Sequence, residues 1–201
     1  MNKILVWDWP VRVGHWLLVG AVVLAWLTSE SEALRWVHAF AGGMVVGIVL
    51  FRLVWGVLGT RHARFASFVR GPAAALAYLA GLFKRGAVHP AGHNAAGGLA
   101  IVVLLAMGLL TGASGWLAYQ DLGGEWFGEL HEGLAVAMLG VAAAHVTGVV
   151  VGSFAQRENL VRAMFTGLKQ GQPDEAIAHP RPLVLLPLLV WVVACAWWLA
   201  R

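Results

Sequence analysis

The sequence predicts an all-α integral membrane protein: a four-helix transmembrane bundle followed by a fifth, C-terminal transmembrane helix. Three observations predict it. Of the 201 residues, 60% are hydrophobic and 12% charged, which leaves too little polar surface to cover a soluble globule. The apolar residues gather into five runs, each near the ~20 residues that cross a hydrocarbon layer. Eleven tryptophans suit the membrane–water interfaces, where an amphipathic ring is most stable.

The runs follow in order. Segment 1 covers 13–29 and is preceded by Trp7, Asp8, Trp9 and Pro10, with no small-residue cleavage site, so it is expected to be a span and not a cleaved signal. Segment 2 covers 36–58. PAAALAYLAGLF, 72–83, is too short to span and precedes Lys84 and Arg85, which predicts an amphipathic helix lying on the membrane surface. Segments 3 and 4 cover 94–118 and 131–153. Arg157, Glu158, Asn159, Arg162 and Lys169 read as one interfacial helix with a solvated face. A proline-rich linker, 171–182, sets segment 5 (183–200) apart, so the chain divides into a bundle (1–170) and a linker with a fifth helix (171–201).

Charge assigns the sides. Residues 60–90 carry Arg61, Arg64, Arg70, Lys84 and Arg85, and residues 155–181 carry Arg157, Arg162, Lys169 and Arg181. The other linkers carry Glu30, Glu32 and Arg35, then Asp121, Glu125 and Glu129. The positive-inside rule then gives a multi-pass protein of five crossings, N-terminus in the cytoplasm and C-terminus outside. The net charge of +4 therefore reads as topology, and no nucleic-acid partner is expected. A single cysteine, Cys195, excludes an intrachain disulfide and any cysteine-based metal cage. No CxxCH, P-loop, dinucleotide fingerprint or nucleophile–base pair is present.

Eight histidines are sorted by this topology. His15 lies toward the cytoplasmic end of segment 1 and His38 toward the outer end of segment 2. His131 opens segment 4 at its outer end, and His145 lies deeper. His62, His89 and His179 fall in cytoplasmic loops, and His93 borders segment 3. Fourteen residues separate His131 from His145, which is about 21 Å of rise and leaves them only about 40° apart around the helix. They share a face, too far apart for one ion, since a metal–imidazole bond is about 2 Å. Each therefore needs a partner at its own depth: His38 for His131, and His15 for His145.

Ala135, Met138 and Ala142 lie on the same face between them, leaving room for a flat group. Gly42, Gly43 and Gly47 on segment 2, and Gly14 beside His15, admit either another helix or a planar ligand close to the backbone. A lone histidine inside a span is ordinarily a hydrogen-bonded packing residue. Four at two matched depths point to two bis-histidine haems in a four-helix bundle. Proton-relay histidines compete, but no buried carboxylates accompany them.

WDWPVRVGHWLL, HAFAGGMVVGIVLFRLVWG, GHNAAGG, HEGLAVAMLGVAAAHVTGV and SFAQRENLVRAMFTGLK together resemble the bacterial di-haem cytochrome b family, which includes prokaryotic cytochrome b561 and the b-type subunit of Ni,Fe-hydrogenase. The resemblance runs from about residue 5 to 170. It implies two non-covalent b haems held by His15, His38, His131 and His145, with no ligand from the third helix. It also implies transmembrane electron transfer between the quinone pool and a periplasmic partner, either a c-type cytochrome or a dehydrogenase such as a hydrogenase.

Further residues acquire alternatives from it. Arg52 either snorkels to the surface or pairs with a haem propionate. Asn94 either caps a helix or, with His93, hydrogen-bonds a quinone. Glu132 stays at the interface or takes part in proton release. HPAGH (89–93) has the i,i+4 spacing of some zinc sites, but Pro90 and Gly92 oppose a helix there. Segment 5 is expected to pack outside the bundle, with Trp191, Trp197 and Trp198 facing lipid or a partner helix.

Two rival functions remain. One is a stand-alone quinone-linked oxidoreductase of a small molecule such as superoxide, which the acidic outer loops disfavour. The other is a non-redox channel or transporter, which would purify colourless.

Overall fold

The computed structural model describes residues 2–84 and 90–201. Arg85 and His89, and with His89 the HPAGH zinc motif, lie outside the described residues. Among the described residues five helices are long and apolar enough to cross a membrane: Trp9–Thr28, Glu32–Leu58, Ala95–Tyr119, Glu125–Gln156 and Pro182–Leu199. Their α-helical parts are α1 (Trp9–Thr28), α2 (Arg35–Leu58), α5 (Ala95–Tyr119), α6 (Glu125–Gln156) and α8 (Leu185–Leu199). Between them come α3 (Phe65–Phe68), α4 (Pro72–Gly81), where the surface helix is expected, and α7 (Leu160–Thr166). The chain folds as two compact units, one built from Met1–Arg12, Val54–Leu104 and Val141–Pro182, the other from Val13–Leu53, Leu105–Gly140 and Leu183–Arg201.

The first unit contains a feature with no sequence signal. Strands β1 (Asn2–Leu5) and β2 (Leu168–Gly171) pair antiparallel, Lys3 opposite Gln170 and Leu5 opposite Leu168. Ile4, Val6, Trp7, Val11, Ala63, Ala91 and Ala163 form the core beneath the ribbon. Asp8, fully buried, explains the WDWP start of α1. Its Oδ1 accepts from the Val11 amide at 2.9 Å, the N-cap bond of an aspartate. Its Oδ2 accepts from Trp55 Nε1 at 3.0 Å and Thr60 Oγ1 at 2.6 Å.

The expected helix across 157–169 is corrected here. Arg157 has φ of 50°, which breaks the run, and α7 begins only after Asn159, whose Oδ1 accepts from the Arg162 amide at 2.7 Å. Gly167, at φ 80°, closes α7 in the left-handed conformation that favours glycine. Its carbonyl then accepts from the amides of Val6 and Trp7. Lys169 consequently sits in a strand, 5% exposed, and not on a solvated helical face. Burial pushes its pKa down, against the pull of Glu158 and Glu175.

In the second unit Ile48, Leu188 and Val192 form a core, flanked by Leu17, Leu18, Met44, Phe51 and Leu185 from α1, α2 and α8. Gly43 and Gly47 serve helix contact. A Cβ at Gly43 would meet Ala196 Cα at 2.7 Å, and one at Gly47 would meet Cys195 Cβ at 2.9 Å. Trp191 Nε1 donates to the Gly47 carbonyl at 3.0 Å. Trp197 meets Trp36 edge-on, and Trp198 stacks on Trp116. The fifth-helix tryptophans thus reach partner helices, each keeping an exposed face.

Candidate haem-ligand site

His38 stands on α2 and His131 on α6, which begins at Glu125, so His131 lies well inside the helix and not at its mouth. The two rings face each other with centroids 5.9 Å apart and planes at 84°. Each ring is held from behind. His38 Nδ1 lies 2.8 Å from the Ala25 carbonyl of α1, and His131 Nδ1 lies 2.9 Å from the Thr111 carbonyl of α5. A carbonyl can only accept, so each Nδ1 carries the hydrogen and each Nε2 keeps its lone pair, as a metal-binding imidazole requires.

The spacing fits a single iron between the rings. Two metal–nitrogen bonds of about 2 Å, plus the distance from each nitrogen to its ring centre, put the centroids roughly 6 Å apart. Among the described residues no group of three or more His, Cys, Asp or Glu is arranged to hold a metal ion. Iron in a porphyrin needs only two axial donors. At Gly42, one turn after His38, a Cβ would meet nothing within 4 Å. None of the most apolar stretch of α6 is buried, against 39% of that of α2. A pocket bordered by Glu30, Glu32, Arg35 and His38 opens beside His38.

The remaining predicted residues are distributed over both units. His15, on α1 in the second unit, is half-buried and meets Trp16 edge-on at 5.0 Å. His145, on α6 in the first unit, is also half-buried. Arg52 is half-buried rather than extended into solvent. His93 lies between Trp7 at 4.4 Å and Phe68 at 4.5 Å. Asn94 does cap α5, its Oδ1 accepting from the Gly97 amide at 2.7 Å. Its side chain also hydrogen-bonds Tyr78, whose pKa burial pushes up and this bond pulls down. Glu132 is exposed.

Sequence reasoning missed the Ala25 and Thr111 carbonyls, which have no side-chain signature, and Gly115. A Cβ at Gly115 would fall 2.7 Å from both Cε1 and Nδ1 of His131. The run TGASG hints at a close approach there without saying to what.

No curated protein and no solved structure matches the chain. The family described as prokaryotic cytochrome b561 matches residues 6–167. That span takes in α1, α2, α5 and α6 with all four histidines, and the family's activity is transmembrane electron transfer through b-type haem. The chain therefore belongs to the prokaryotic cytochrome b561 family.

Proposed function

We propose that this protein carries electrons across a bacterial inner membrane through two b haems, between the quinone pool and a periplasmic redox protein. His38 and His131 hold the outer haem, and His15 and His145 hold the inner one. The observation that most supports this is the facing of His38 and His131, each with Nδ1 tied to a carbonyl and the pair spaced for one iron. The inner pair rests on the rise of one helix, since His131 and His145 both lie on α6, and on membership of the family.

When bound, haem supplies a one-electron iron couple. The chain supplies the axial nitrogens, fixes their tautomer and surrounds them with apolar helices, which sets the potential. Arg52 supplies the guanidinium that neutralises a propionate.

The basic stretches put the first unit's loops in the cytoplasm. At that side Asn94, Tyr78 and His93 supply hydrogen-bonding groups for a quinone headgroup. Glu30 and Glu32 border the pocket beside His38 and suit a partner with a cationic face, such as a c-type cytochrome or a dehydrogenase subunit.

Purified protein tests this directly. It should show a Soret band and be reduced by a quinol. His38→Ala should keep a haem that quinol still reduces while transfer to an added cationic c-type cytochrome falls at least tenfold. A colourless preparation, or unchanged transfer in His38→Ala, would refute the proposal.

A further inference from the structure

Helix α5 carries no candidate ligand, yet it determines how His131 stands. Its Thr111 carbonyl accepts from His131 Nδ1 at 2.9 Å. Gly115, one turn on along the same face, lies against the same ring, and a Cβ there would sit 2.7 Å from Cε1 and from Nδ1. That is closer than carbon packs against a ring. The imidazole cannot yield as a long flexible chain would, because it turns about only two bonds and one of its nitrogens is already held. Across the gap, the Ala25 carbonyl of α1 holds His38 in the same way at 2.8 Å. Two carbonyls from two different helices thus leave the ring planes crossed at 84°.

We infer that Gly115 is a positioning residue: with the Thr111 carbonyl it fixes the His131 ring across the plane of His38, so that the outer haem is built with crossed axial imidazoles. This rests on the proposed ligand pair. It goes beyond that pair by assigning a role to the ligand-free helix and a consequence to the angle. Crossed imidazole planes leave two iron d orbitals of low-spin ferric haem nearly equal in energy. The electron paramagnetic resonance then has one strongly displaced g value, whereas parallel planes separate the orbitals and give three spread lines.

The test is low-temperature electron paramagnetic resonance of the oxidised, haem-loaded protein, with the outer component assigned as the one that His131→Ala removes. In the wild type that component should have the strongly displaced form. Gly115→Ala should shift it toward three lines or lose it, one haem per chain disappearing while the other stays as proof of folding. Gly128→Ala, where an added Cβ would meet nothing within 4 Å, should leave it unchanged.

An unshifted outer signal in Gly115→Ala, or a three-line outer signal in the wild type, overturns the inference and leaves the ligand assignment standing. If His131→Ala removes no component, the ligand assignment itself fails. Should Gly115→Ala not accumulate, the wild-type line shape decides.

Discussion

His38 and His131 of the second unit and His62 of the first meet opposite fates, and the contrast separates proposed ligands from a packing residue. In the second unit His38 and His131 each give Nδ1 to a helix carbonyl, and their ring centroids lie 5.9 Å apart. In the first unit His62 has Nε2 2.7 Å from the Glu175 carbonyl. Burial alone does not distinguish them. What does is which nitrogen the protein takes up and which it leaves for a second ring.

The harshest way to break this contrast is to remove one histidine of each kind. His38→Leu should abolish one haem component of the reduced spectrum, while His62→Leu should leave the spectrum intact. Haem content measured on both variants decides it, and loss of haem from His62→Leu would collapse the distinction.

Next in size is Asp8→Ala. It strips the α1 cap and leaves the Trp55 and Thr60 donors without their acceptor, at a cost of about 2–4 kcal/mol. Thermal unfolding in detergent should show it as a lowered Tm with an unaltered haem spectrum.

Gly43→Ala places a methyl against the backbone of Ala196 and should cost about 1–3 kcal/mol by overpacking. Its effect should show as faster proteolysis of α8, with the spectrum again unchanged.

The smallest effect is one of pH. Burial first, then Arg61 and Lys169, lower the pKa of His62 from 6.5, against the pull of Glu175. The folded form therefore binds this proton less readily than the unfolded chain. Stability is level above pH 6.5 and declines as pH falls through the window just below it. Tm measured from neutral to mildly acidic pH should decline less steeply in His62→Gln than in the wild type.

Much of this was legible in the sequence because hydropathy is local. The five spans lie where composition puts them, α1 and α6 beginning earlier than expected, at Trp9 and Glu125. The facing of His38 and His131 follows from counting rise and topology.

What was not legible depends on pairings distant in sequence or on backbone atoms. The β1–β2 ribbon joins two four-residue strands from opposite parts of the chain. Lys169 therefore looked like part of a solvated helix until that pairing buried it. Gly42, Gly43 and Gly47 carried one signal with two meanings: the first is open, and the other two receive α8. The carbonyls of Ala25 and Thr111 could not be found in any side-chain pattern.

The central claim is that four histidines form two pairs, and the most direct measurement is the low-temperature reduced spectrum of four single variants. His38→Ala and His131→Ala should lose the same haem component, and His15→Ala and His145→Ala should lose the other. Loss of different components by His38→Ala and His131→Ala, or retention of both haems by any of the four, would contradict it.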